Sequence, residues 1–259
     1  MANKIKVWDV PTRLFHWALV AVFVFQFVTG DILDDAMQLH FYGGYFALGL
    51  ILFRIVWGLI GTYHARFSTF LCSPLTAMAY LRGKSDTQVY LGHNPAGAYS
   101  VLAILAVMLS QSVSGLFMTD DIFLNGPYYG VLDGAFDDIM SYIHHNAITV
   151  MWVLIALHVL AITYYTLVKK QALIPAMLHG KKERKNEPEN NSETDDTEHD
   201  SKDLFSNNLS NIVKNNTPQG LEKANTPWIR FIVSAGLCAL IVYLVVSVFA
   251  PEIDAGFYY

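Results

Sequence analysis

Cysteine is nearly absent. The chain of 259 residues has two, Cys72 and Cys238, 166 positions apart, and Cys-x-x-Cys-His occurs nowhere. That pattern excludes a disulfide framework, a cysteine zinc site and covalent haem attachment, and leaves two incidental thiols. Charge is also scarce: 15% of residues are charged against 53% hydrophobic, and the mean hydropathy is +0.33. Soluble domains carry about 25% charged residues, so an ordinary soluble fold is excluded. The net charge of −5 gives no footing for nucleic acid. Alternating ten-residue segments are missing, which excludes an outer-membrane barrel. The opening MANKIKVWDVPTRLFHW has a late, overlong apolar stretch and no small-residue cleavage site, so no cleavable signal is expected. No motif repeats along the chain.

What is present is long apolar runs. A bilayer core of about 30 Å needs about 20 apolar residues as helix. Five stretches meet or approach that length, at about 14–29, 41–60, 97–118, 143–168 and 228–250. Helices satisfy their own backbone in lipid, so an all-α membrane protein of four bundled helices plus a fifth, C-terminal one is expected. The loops alternate in charge. Lys4, Lys6 and Arg13 precede the first span, and Asp31, Asp34 and Asp35 follow it. Arg66, Arg82 and Lys84 lie between spans two and three; Asp120, Asp121, Asp133, Asp137 and Asp138 lie between three and four; Lys169, Lys170, Lys181 and Lys182 follow span four. The positive-inside rule then puts the N-terminus in the cytoplasm and the C-terminus outside, in the periplasm of a bacterial inner membrane. The polar tract 181–225 holds nine acids and three basic residues over 183–203, with no aromatic there, and reads as a disordered acidic linker. Leu204–Val213 within it is a candidate short surface helix. The chain therefore divides into a four-helix module at 1–180, that linker, and a fifth helix with a short tail at 226–259, carried on a tether.

Ionisable residues inside a membrane are rare and functional by default. Of nine histidines, His16 stands at the cytoplasmic start of span one and His40 at the outer start of span two. His144 and His145 open span four, and His158 lies in its middle. His144 and His158 are fourteen residues apart, or about 1400° of rotation and about 21 Å of rise, so they share a helix face at two depths. His145 sits about 140° from His158 and fits that face less well. Depth pairs His40 with His144 and His16 with His158. Two bis-histidine b-type haems follow, low-spin and without an open iron position, suited to electron transfer. Zinc or copper ligands would converge at one depth, often with carboxylates or thiolates. Gly43 and Gly44 would let a flat macrocycle approach the backbone. Arg54, fourteen residues after His40, and Arg13 are candidate partners for haem propionates. His64 and His93 lie in the basic loop, where an ordinary interfacial role is expected and contact with a haem propionate or a quinone is the alternative. His179 and His199 fall in the cytoplasmic tail, where no functional role is expected.

The stretches Val-Trp-Asp-Val-Pro-Thr-Arg-Leu-Phe-His-Trp (7–17), Leu-His-Phe-Tyr-Gly-Gly-Tyr (39–45), Phe-Arg-Ile-Val-Trp-Gly (53–58) and Gly-His-Asn-Pro (92–95), with His144 and His158, resemble the bacterial cytochrome b-561 group. That group includes the cytochrome b subunits of nickel-iron hydrogenases. The resemblance covers residues 5–180. It implies a four-helix di-haem bundle exchanging electrons between the quinone pool and a partner such as a c-type cytochrome or a hydrogenase, with haem ligands at His16, His40, His144 and His158. The quinone site is sought near His158, Arg13, His93 and Arg54. A stand-alone superoxide-to-quinone oxidoreductase, also known in this group, is the second expectation, and a haem-free membrane scaffold or transporter the third.

Overall fold

Local capping chemistry sets where the helices begin. The computed structural model describes residues 4–83, 92–120, 124–183, 227–248 and 250. Helix α1 (Val10–Phe27) starts where the Asp9 carboxylate accepts the Thr12 amide at 2.8 Å, with Pro11 in the first turn. It continues to Ile32 through one π-helical turn. Helix α2 is Met37–Ile60, followed by the short α3 (Phe67–Phe70) and α4 (Pro74–Leu81). Asn94 caps α5 (Pro95–Ser114), which a 3₁₀ turn extends to Phe117. Asp133 caps α6 (Gly134–Leu167). Next come α7 (Leu173–His179) and α8 (Trp228–Tyr243), the latter extended by a π turn to Val248.

Five of these helices, α1, α2, α5, α6 and α8, are long and apolar enough to cross a membrane. All five expected spans are therefore present. The largest boundary difference is in α6. Its 34 residues measure about 51 Å, well over the bilayer core. It begins nine residues before the expected span because Asp133 caps it there, and Asp137 complements the dipole in its first turn.

Helix α2 lies at the centre, packed against α1, α5 and α8, while α5 packs on α6. Between α1 and α6, the Trp152 ring lies 5.1 Å from Phe23 and 5.2 Å from Phe27. Val22, Ala47, Ile51, Met108 and Met151 form one buried layer at mid-depth. A second layer, at the basic end, gathers Phe15, Phe53, Trp57, Ala65, Leu105 and Cys238. In lipid such contacts act through dispersion and close fit, since the tails are as apolar as the side chains.

No contact for the fifth span is visible in the sequence; the structure seats it along α2. Phe231 lies 5.6 Å from the Phe53 ring and 6.3 Å from Trp57, Ser234 and Cys238 are buried, and the Tyr128 hydroxyl donates to the Val245 carbonyl at 2.8 Å. The polar tract also begins later than expected. Strand β1 (Lys4–Lys6) pairs antiparallel with β2 (Lys181–Glu183), Ile5 opposite Lys182. Gly180 makes the turn into β2 at φ +78°, and its carbonyl accepts the Val7 and Trp8 amides. This ties the entry of α1 to the exit of α7. The rest of the expected acidic linker, the helix near Leu204–Val213, His199 and the tail from Pro251 lie outside the described residues.

Candidate functional site

The acidic end of the bundle holds a cavity of about 570 Å³. His40 and His144 line it, their ring centroids 6.3 Å apart and their planes at 78°. Each imidazole is fixed from behind. His40 Nδ1 lies 3.1 Å from the Gln26 carbonyl, and His144 Nδ1 lies 3.1 Å from the Gln111 carbonyl. A carbonyl only accepts, so both Nδ1 atoms carry a proton, and in the neutral tautomer this leaves the lone pair on Nε2. A hydroxyl adds to each contact: Thr29 Oγ1 at 3.4 Å from His40 Nδ1, and Ser114 Oγ at 3.1 Å from His144 Nδ1.

The two cradles are built from one short motif used twice. Gln26-Phe-Val-Thr29-Gly30 ends α1, and Gln111-Ser-Val-Ser114-Gly115 ends α5. In both, the glutamine carbonyl and the hydroxyl three residues later hold the histidine of the next membrane-spanning helix. The glycine then lets the ring lie against the backbone. A Cβ on Gly30 would come within 2.8 Å of His40, and one on Gly115 within 3.1 Å of His144. The side-chain Oε1 atoms of Gln26 and Gln111 are both buried without a partner, and both glutamines line the cavity. This is a repeat that the sequence reading missed. Its signal was there, as Gln-x-Val-Thr/Ser-Gly at the ends of spans one and three.

The remaining candidates sort by location. His145 also borders the cavity, but it is exposed, and its Nδ1 donates to the Ser141 carbonyl one turn back at 2.8 Å. Gly44 lines the cavity. Gly43 does not: a Cβ there would sit 2.2 Å from Gln26 Oε1 and 2.8 Å from the Phe25 ring, so it serves the α1–α2 contact instead. Asp31, Asp137 and Asp138 are among the lining residues, and none of the described lining residues is Lys or Arg.

At the basic end, His16 and His158 lie within electrostatic reach of each other. His16 Nδ1 is buried and has no hydrogen-bond partner among the described residues, so this pair is less firmly held than the other. Arg13 donates through Nη1 to the Leu178 carbonyl, and its buried Nε has no partner. Arg54, 2% exposed, donates to the Ala65 carbonyl at 3.2 Å and lies 4.8 Å over the Phe67 ring. His64 is half-buried beside Tyr63, and burial pushes its pKa down, against the opposing pull of Asp9. His179 is exposed, with Nδ1 on the Pro175 carbonyl.

Asp9 is the residue the sequence reading passed over. It is 3% exposed and accepts from Thr12 N at 2.8 Å, Trp57 Nε1 at 3.0 Å and Thr62 Oγ1 at 2.6 Å. It ties the start of α1 to the end of α2 and supplies the negative charge nearest Arg54. Its place before Val-Pro-Thr, at a helix start, was the available signal.

Comparison with known proteins identifies the family. A family model described as prokaryotic cytochrome b561 matches residues 7–180. The chain is 24% identical over 214 residues to a probable Ni/Fe-hydrogenase B-type cytochrome subunit of Azotobacter chroococcum mcd 1, and 24% identical over 217 residues to its counterpart in Azotobacter vinelandii. Each alignment covers 69% of this chain and 88% of the relative. No solved structure matches. The family match runs from Val7, just past strand β1, to the turn at Gly180 and takes in His16, His40, His144 and His158, and the chain belongs to the prokaryotic cytochrome b561 family, b-type haem proteins of membrane electron transfer.

Proposed function

We propose that this chain is a di-haem cytochrome b moving electrons across a bacterial inner membrane between quinone and a periplasmic redox partner. In this reading His40 and His144 are the axial ligands of an outer haem, and His16 and His158 those of an inner one. The observation that carries it is the outer pair: two neutral imidazoles face one cavity with Nε2 free and Nδ1–H bonded to a backbone carbonyl. That is the arrangement in which histidine binds metal, its second nitrogen setting tautomer and ring angle. The residues fit the macrocycle. Gly30, Gly44 and Gly115 keep the walls flat, and the buried Arg13 Nε at the basic end offers a donor to a carboxylate. The haem supplies a one-electron couple at each depth; the chain holds it, sets its depth and keeps water from the layer between. Val22, Ala47, Ile51, Met108 and Met151 form that layer.

The basic end faces the cytoplasm by the positive-inside rule. The acidic end then faces the periplasm and suits a partner with a basic docking patch, such as a c-type cytochrome or a hydrogenase-like subunit. The hydrogenase cytochrome subunits among its relatives support such a redox partner. The same end weighs against superoxide as a substrate, because Asp31, Asp137 and Asp138 repel an anion and no Lys or Arg among the described lining residues offsets them.

The deciding measurement is a reduced-minus-oxidised spectrum of the purified protein with its haem-to-protein ratio. Two haems of b type are expected, and a ratio of one would overturn the reading. Gly30→Ala gives a finer check. Its methyl would press on the His40 ring, so outer-haem affinity should fall about 10-fold, the low end of losses from disturbed ligand support. Unchanged haem retention during dialysis would contradict the role given to Gly30.

A further inference from the structure

His93 stands just before α5, outside the four histidines assigned to iron. Its ring is clamped between Trp8, at 4.7 Å, and Phe70, at 4.5 Å. Its Nδ1 is buried and has no hydrogen-bond partner among the described residues. A buried polar nitrogen left unpaired costs about 1–3 kcal/mol, so its presence points to a guest. The surroundings say what kind. Arg54, Lys182, His64 and His158 all lie within electrostatic reach, and burial, followed by Arg54, His64, His158 and Lys182, holds the imidazole down at about 3. The ring is therefore neutral, and Arg54 and Lys182 bring positive charge to it, with Asp9 as the counter-charge behind Arg54. Such a setting takes an acceptor with negative charge. Lys182 is carried there by the β1–β2 ribbon and is half-buried. Facing an anion, a neutral imidazole keeps its proton on the nitrogen that points at it.

We propose that His93 anchors the inner haem by donating its Nδ1–H to a propionate carboxylate, with Arg54 and Lys182 supplying the opposing charge. This rests on the two-haem reading above. It makes Gly-His-Asn-Pro a built part of the cofactor site: the Asn94 cap starts α5 at a fixed point and holds His93 one residue before it. A donor on the propionate offsets negative charge beside the iron and so favours the ferrous state.

The test is a redox titration of the full-length protein, the inner signal being the one that survives in His144→Ala. His93→Phe keeps a ring between Trp8 and Phe70 but removes the donor. The inner haem should become harder to reduce by about tenfold in its one-electron equilibrium, or about 59 mV, with the outer haem unmoved. His93→Asn, which keeps a donor near the Nδ1 position, should recover most of the shift. An unmoved inner potential with both haems retained would overturn the proposal, and so would equal shifts in the Phe and Asn variants. Slower oxidation by a soluble quinone with both potentials unmoved would also overturn it, assigning Nδ1 to a quinone carbonyl. If His93→Phe loses both haems, Lys182→Met on the peripheral ribbon carries the same test: a smaller shift in the same direction is expected, and none would sink the assignment. A wild-type ratio of one haem is a separate outcome, which removes the inner site itself.

Discussion

His144→Ala is expected to remove one haem of two, while His145→Ala removes none. Both residues begin the membrane part of α6 and their rings lie 6.2 Å apart, yet their surroundings differ. His144 is turned toward His40 and fixed by the Gln111 carbonyl and the Ser114 hydroxyl from α5. His145 is exposed and spends its Nδ1–H on its own helix. Loss of an axial ligand should cost more than the 10–100-fold that follows damage to a ligand's support. The His144→Ala protein should therefore purify with about one haem per chain and show transmembrane electron transfer at background. His145→Ala should keep two haems and an unchanged spectrum. Retention of two haems by His144→Ala, with loss by His145→Ala, would reverse the assignment.

Asp9→Ala should be the most destabilising single change away from the haem ligands. Its carboxylate is the acceptor for three donors, and Trp57, one of their owners, is fully buried. Losing the helix cap costs about 1 kcal/mol. Leaving the Trp57 N–H and the Thr62 hydroxyl without an acceptor costs about 1–3 kcal/mol each. Arg54 also loses its nearest negative charge in a buried setting. A total of about 3–7 kcal/mol corresponds to a fall of about 10–20 °C in the unfolding midpoint for a chain of this size. Asp9→Asn keeps one acceptor oxygen and should fall between the two proteins. Thermal unfolding in detergent, followed by helix signal, measures this; an Asp9→Ala midpoint within 1 °C of the parent would refute the role of the network. The inner haem should be lost before the outer one on heating, because the damage lies at the basic end.

The helical spans were readable because length and hydropathy suffice for them: in lipid a backbone must close its own hydrogen bonds. Their starts were readable less well. Asp9, Asn94 and Asp133 each begin a helix outside the apolar run, where hydropathy is silent and only capping chemistry speaks. The fourteen-residue spacing of His144 and His158 follows from helix geometry alone and put two depths on one helix face.

Other features required the fold. Phe231, Ser234 and Cys238 seat α8 on α2, but the apolar faces of a membrane helix look alike in sequence, since lipid and protein offer similar contacts. Gly43 and Gly44 are neighbours in sequence with different duties, because successive positions on a helix point about 100° apart, one at α1 and the other at the cavity. The twin Gln-x-Val-Thr/Ser-Gly motifs are short and ordinary as strings. They acquire meaning only when the turn after each helix brings a histidine back against the glutamine carbonyl. By itself, then, the sequence determined five spans, their charge asymmetry and four histidines at two depths, all consequences of local geometry and solvent. Tertiary structure decided which nitrogen each outer histidine leaves free, why His144 rather than His145 meets His40, and what lies around His93, because these depend on groups distant in the chain meeting at distances only packing can set.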